Sequence, residues 1–192
     1  MFRKLGILTL LASVALAAPV RAAEPRWEDA EASANTQLKQ GHYLDAIASY
    51  QRAIDLARKG ASPTAIANMH VSIGNAYLKL KKSDAAIAEY TKAAALDPHP
   101  ATAYFNICAV TYNIGQTGPK AVAACDKAIA ADPKKADAYF IKGSMLFGEG
   151  KVGANNKFIV PSGAIAALKK YLVLAPNGPH ASDVKQMLDA LK

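Results

Sequence analysis

Small and large apolar residues alternate along this chain in a pattern that repeats. The segments AIASYQRAIDLAR from Ala46, AIAEYTKAAALDP from Ala86, AVAACDKAIAADP from Ala121 and AIAALKKYLVLAP from Ala164 align position by position. In each, an alanine marks a place where a neighbour presses close, and a large apolar residue follows one turn later on the same face. That spacing predicts four amphipathic helices. Pro98, Pro133 and Pro176 close the last three, because proline cannot donate into the preceding turn and clashes with it. The first lacks its proline.

Upstream of each of the later three lies a second helix with its own signature. HVSIGNAYLKL begins at His70, YFNICAVTYNI at Tyr104 and YFIKGSMLF at Tyr139, each with a small residue at Gly74, Cys108 or Gly143. Gly74 to Cys108 is 34 residues and Cys108 to Gly143 is 35. The repeating unit is therefore a pair of antiparallel helices.

These residues resemble the tetratricopeptide repeat, whose period is about 34 residues. The matching positions are the rings Tyr104 and Tyr139, the small Gly74, Cys108 and Gly143, the alanines Ala46, Ala86, Ala121 and Ala164, then Tyr50 and Tyr90, then Ala53, Ala93 and Ala128, and the closing prolines. The resemblance implies an all-α, right-handed solenoid of about four helix pairs with a concave groove, and covers roughly residues 26–177. The repeats are expected at about 26–59, 67–100, 101–134 and 136–177. A first helix with Trp27, Ala34 and Gln37 matches weakly. Ser62 as N-cap and Pro63 in the first turn start the next one. Tyr171 stands where the other repeats have alanine, which implies looser helix spacing there. Val184, Met187, Leu188 and Leu191 then form the apolar face of a capping helix over 179–191.

One stretch lacks helical period. Residues 148–163, GEGKVGANNKFIVPSG, predict a short hairpin-like insertion, with Val152 and Phe158-Ile159-Val160 flanking a turn and Ser162 capping the helix that follows. Those three apolar residues are expected to pack on the last repeats or on a partner, as a lid; an ordinary surface loop is the alternative.

Charge and composition change the picture at the N-terminus. Arg3 and Lys4 precede the apolar run Leu5 to Ala18 and the small residues around Val20 and Ala22, the order of a cleaved export signal over residues 1–22. The run has 14 residues, short of the roughly 18 needed to span a bilayer. Cleavage would leave residues 23–192 and lower the net charge from +8 by three, through loss of Arg3, Lys4 and Arg21. The expected location is periplasmic or secreted, without stable membrane insertion. The remaining lysines are spread along the sequence, so nucleic acid is not an expected partner.

An exported chain can oxidise its two cysteines. Cys108 lies about six residues before the end of its helix and Cys125 about as far into the next, so both stand roughly 9 Å above the turn. A disulfide between them is expected, with two buried free thiols as the alternative.

Nothing in the sequence assembles a catalytic site. His42, His70, His99 and His180 are scattered one per segment, with no second ligand at metal spacing. His70 sits in the slot of Tyr104 and Tyr139 and is expected to be packed there. No glycine-rich loop follows a strand. The reading is a non-enzyme that needs no cofactor.

The resemblance instead places a binding groove on the first helix of each pair. Its lining here would be Glu31, Asn35 and Lys39, then Asn68, Val71, Asn75, Leu78 and Lys79, then Phe105, Tyr112 and Asn113, then Phe140, Ser144 and Phe147. Amides and lysines at one end give way to rings at the other, a lining suited to an extended peptide. Some members of the family clamp a terminal carboxylate. Asn35 and Asn106 match two amide positions of that clamp, but Asp137 and Ile141 stand where it needs cations. The expected function is an adaptor or scaffold in the cell envelope that holds a segment of another protein, as a monomer or weak homo-oligomer. A self-associating structural protein without a separate client is the alternative.

Overall fold

The computed structural model describes residues 25–57, 60–154 and 156–191; the export-signal segment lies outside them. Helices α1 (Trp27–Lys39) and α2 (Tyr43–Ala57) form the first pair, α3 (Pro63–Lys79) and α4 (Ser83–Leu96) the second, and α5 (Ala101–Asn113) and α6 (Pro119–Ala131) the third. Helix α7 (Ala136–Gly148) is separated from its partner α8 (Ala164–Leu174) by the strands β1 (Lys151–Val152) and β2 (Phe158–Ile159), and α9 (Ala181–Asp189) ends the stack. Each helix packs on the ones before and after it in sequence, and α5 also touches α7. The fold is an all-α solenoid, in which every contact is local to a repeat or its neighbour.

Local chemistry sets the helix ends. Ser62 accepts the Ala65 N–H at 3.1 Å, and Pro63 follows it as the first helical residue, where a missing N–H costs nothing. The turns inside the first three pairs share one geometry. Gly41, Lys81 and Gly115 all adopt positive φ, at 81°, 58° and 71°. The next residue's N–H then reaches back to Gln37, Tyr77 and Thr111 carbonyls at 2.9, 2.9 and 3.0 Å, a Schellman closure that satisfies orphan carbonyls. Lys81 takes this left-handed position with a Cβ, which glycine avoids.

The core runs through the stack where small residues of one helix face large residues of its partner. Ala34 opposes Tyr50, Gly74 opposes Tyr90, Cys108 opposes Cys125 and Gly143 opposes Leu168, and none of the six non-glycine side chains is exposed at all. A Cβ on Gly74 would lie 2.5 Å from Cε1 of Tyr90, and one on Gly143 would lie 2.6 Å from Cδ2 of Leu168. A side chain at either place would have to displace the partner residue that fills the space.

The insertion is the expected hairpin, with Lys151 paired to Ile159 and Val152 to Phe158. Phe158 packs on Phe147, ring centroids 5.2 Å apart, whereas Ile159 is 57% exposed and Val160 half-buried. Of the three apolar residues, Ile159 therefore does not pack on the repeats. Ser162 does not cap α8 either. Gly163 occupies the N-cap with φ 94° and no side-chain bond, because the chain leaving β2 must turn through a left-handed residue to enter the helix. Tyr171 needs no looser spacing: its ring is fully buried, and its hydroxyl accepts the His180 N–H at 3.0 Å, so the extra bulk anchors the segment leading into α9.

Candidate protein-binding groove

The first helices of the pairs, α1, α3, α5 and α7, supply the expected lining, and its two ends differ. Asn35, Lys39, Asn75 and Lys79 are all exposed. The Tyr50 hydroxyl donates to Asn35 Oδ1 at 2.7 Å, and the Tyr90 hydroxyl donates to Asn75 Oδ1 at 2.7 Å. Each bond fixes the amide so that its N–H₂ group is left for solvent or a ligand. Burial pushes the Tyr90 hydroxyl up to about 12, so it remains a donor. Tyr50 is raised as well, chiefly by burial, with the Ser72 hydrogen bond opposing and the Glu31 charge adding.

The amide and the tyrosine disappear together in the third repeat, where Cys125 takes the tyrosine slot and Ala109 the asparagine slot. In the fourth, Leu168 replaces the tyrosine and Ser144 follows Gly143. Ser144 is buried and its Oγ has no hydrogen-bond partner, since the slot that holds a tyrosine hydroxyl in the first two repeats is aliphatic here. Ser144 is therefore not part of an open lining. This coupling was readable in the sequence as Asn35 with Tyr50 and Asn75 with Tyr90, each 15 residues apart.

At the aromatic end, Phe105, Tyr112 and Phe147 are half-buried, and Phe140 is not in the groove. Only 7% of Phe140 is exposed. The His180 imidazole stacks on it at 3.8 Å with an interplanar angle of 1°, and Tyr112 and Tyr171 sit at 6.4 and 5.7 Å. The segment ahead of α9 lies where the first helix of a fifth repeat would otherwise pack, and it turns this groove position into core. A sequence reading that maps each repeat alone cannot see a cap folding back from 40 residues downstream.

Phe105 has a neighbour that sequence spacing did not reveal. Lys135, just before α7, holds its Nζ 4.4 Å from the Phe105 ring centroid, a cation–π contact that places positive charge on the aromatic surface. Away from the groove, Cys108 and Cys125 bring their sulfurs to bonding distance, 2.13 Å, with Cα atoms 4.8 Å apart. His70 is packed: its Nδ1 meets Glu89 Oε2 at 2.6 Å, and Lys92 meets the other carboxylate oxygen at 2.6 Å. Among the described residues no three His, Cys, Asp or Glu side chains gather as a metal site.

Comparison with known proteins agrees with the geometry. Residues 74–115 match a model described as TPR repeat, and residues 32–59 one described as tetratricopeptide repeat. No curated protein matches the chain in sequence. Among solved structures it is similar to YrrB, a TPR protein with an unusual peptide-binding site, at 18% identity and TM-score 0.62, over 83% of this chain and 74% of that one. It is similar to MamA from Desulfovibrio magneticus RS-1 at 18% identity and TM-score 0.66, over 88% and 89% of the two chains. The first TPR of Spaghetti (RPAP3), bound to an HSP90 peptide, is 25% identical with TM-score 0.56, over 67% of this chain and 94% of that one. With two segments matched in sequence and the helix pairs in register, this chain is a tetratricopeptide-repeat protein.

Proposed function

We propose that this protein is an exported adaptor of the cell envelope, periplasmic or secreted, that holds an extended or helical segment of another protein against its first helices. The observation that carries this is the pair of exposed asparagines, Asn35 and Asn75, each locked by a buried tyrosine hydroxyl. A fixed amide loses little freedom on meeting a peptide carbonyl, so it favours binding more than a freely rotating one. Lys39 and Lys79 stand one turn further along the same helices and suit acidic groups on the partner. Half-buried Phe105, Tyr112 and Phe147 suit apolar side chains. Peptide-binding relatives of the same fold support the reading. The carboxylate clamp does not suit this chain, since Asp137 and Ile141 replace its cations.

A photo-crosslinking residue at Lys79 tests the proposal, with one at Lys127 on the second helix of the third pair as control. Crosslinks to one protein segment are expected from position 79 and not from 127. A synthetic peptide of that segment should bind the wild type and lose affinity in Asn35→Ala/Asn75→Ala. Equal labelling from both positions, or a peptide indifferent to both asparagines, rejects the groove. Crosslinks only to copies of the chain itself would favour the self-associating alternative. Mass spectrometry of the envelope fraction addresses export, with a mature chain beginning at Ala23 expected.

A further inference from the structure

The second helices of the repeats differ in charge. Helix α2 carries Asp45 and Asp55, α4 carries Asp84 and Glu89, and α6 carries Asp126, whereas α8 has no acid at all. Its outward residues are Ile165, Ala166, Lys169, Lys170 and Val173, all exposed, with Val173 at 73%. At about 100° per residue they occupy an arc of roughly 140°, with Val173 near its middle and the lysines on both sides of it. In the earlier repeats the slot of Val173 holds Asp55, Ala95 or Ala130. The slot of Ile165 holds Ile47 in the first repeat, where the next repeat covers it to 6% exposure, against 41% for Ile165. Helix α9 covers the end of the stack only in part. A cleft of about 460 Å³ stays open between α8 and α9, with Ile165, Leu188 and Leu191 along it and Lys169, Lys185 and Asp189 beside them.

The basic excess lies in the C-terminal part of the sequence, spread over α6, α7, the hairpin, α8 and α9. Residues 23–116 hold nine basic and nine acidic side chains, whereas residues 117–192 hold eleven lysines against six acids. All the net positive charge left after removal of the export signal belongs to the C-terminal part. Among the described residues, neither Lys169 nor Lys170 meets a carboxylate.

We propose that the α8 face docks on a lipid bilayer that carries anionic headgroups. Aliphatic side chains flanked by long lysine stems can sink to the headgroup boundary while the ammonium groups remain at the phosphates. The stripe has no amide, hydroxyl or aromatic group that would orient a peptide, which separates it from the groove lining on the first helices. The attachment is peripheral, since no helix among the described residues is long and apolar enough to cross a membrane. It leaves the groove on the other row of helices open to a partner at the membrane surface, and it does not depend on what the groove binds.

Sedimentation of the purified protein with vesicles tests this, using phosphatidylcholine alone and phosphatidylcholine mixed with phosphatidylglycerol. Binding is expected only to the mixed vesicles and should weaken as salt rises. Lys169→Gln/Lys170→Gln should lower partitioning about 25-fold, from roughly five-fold per lysine at an anionic surface. Val173→Ser should lower it several-fold without loss of helicity, because the side chain makes little contact within the fold. Lys81→Gln/Lys82→Gln, an equal charge change in the balanced part of the chain, should have no effect. The proposal is overturned by absence of binding to the mixed vesicles, by an equal loss in the Lys81/Lys82 control, or by indifference to Val173→Ser. It is also overturned if the α8 variants abolish capture of an envelope protein while vesicle binding stays at the wild-type level, since the stripe would then be a protein contact.

Discussion

The Tyr90 ring occupies the space that a side chain on Gly74 would need, its Cε1 lying 2.5 Å from the place of the missing Cβ. The same contact joins Gly143 to Leu168, and in the third pair the sulfurs of Cys108 and Cys125 meet at the corresponding place. A covalent bond there does the work that close packing does elsewhere, holding two helices together at their nearest approach. The positions are therefore exchangeable as pairs and not singly. Gly74→Ala alone should destabilise by about 1–3 kcal/mol through overpacking. Gly74→Cys/Tyr90→Cys should instead form a second disulfide, read as no free thiol in the denatured, unreduced protein. Two free thiols at those positions would mean that the slots are not equivalent.

The native cysteine pair makes a separate prediction. The bridge spans 17 residues and both side chains are fully buried. Closing a loop of that size stabilises by about 3 kcal/mol in the chain-entropy account. Iodoacetamide should add nothing to the unreduced, denatured protein, and reduction should lower the urea midpoint with little change in helical content at low urea. Two alkylated cysteines in the unreduced sample would show free thiols instead.

Much of this architecture was legible in the sequence because a repeat states each packing rule several times. Four occurrences of alanine before a large apolar residue locate the second helices, and Pro98, Pro133 and Pro176 mark their ends. Three features escaped for physical reasons. Phe140 looked like a groove residue because its exposure is decided by His180, which stacks on it from beyond the repeat. Ser162 looked like a cap, but the backbone turn out of β2 needs a left-handed residue, and Gly163 supplies it. Lys135 over Phe105 joins neighbouring repeats through a loop, and loop paths carry no periodicity to read.

The Tyr90 hydroxyl links stability to alkaline pH. Burial raises it from 10.0 in the unfolded chain to about 12 in the fold. A group whose folded value is raised contributes fully below the unfolded value and loses that contribution as pH climbs to the folded one. Stability should therefore fall between pH 10 and about 12, as the unfolded chain releases the phenolic proton first. Tyr90→Phe should be less stable near neutrality, where Asn75 loses its donor, and should show a shallower alkaline fall. Parallel melting-temperature curves for the two proteins across that range would remove Tyr90 from the account.

Phe140 and Phe105 should separate stability from binding. Both stand at the same position of successive first helices, yet Phe140 is 7% exposed beneath His180 while Phe105 is half-buried beneath Lys135. Phe140→Ala removes a ring from the core that joins α7, α8 and the segment ahead of α9, and should destabilise by about 3–5 kcal/mol. Any loss of partner binding should follow the unfolded fraction. His180→Ala should weaken the same core more mildly, since the Tyr171 hydroxyl still receives the backbone N–H of residue 180. Phe105→Ala removes a ring that fills less of the interior, so its urea midpoint should move less than that of Phe140→Ala while affinity for the crosslinked segment falls. Lys135→Gln keeps the ring and removes the cation, at about 0.5–1 kcal/mol for a contact of this kind. If the partner is acidic, it should reduce affinity and its salt dependence together. Titration calorimetry beside urea melts reads both quantities on each variant. A Phe105→Ala protein that melts as early as Phe140→Ala and binds normally when folded would show that the ring is core and that the groove does not extend to the third repeat.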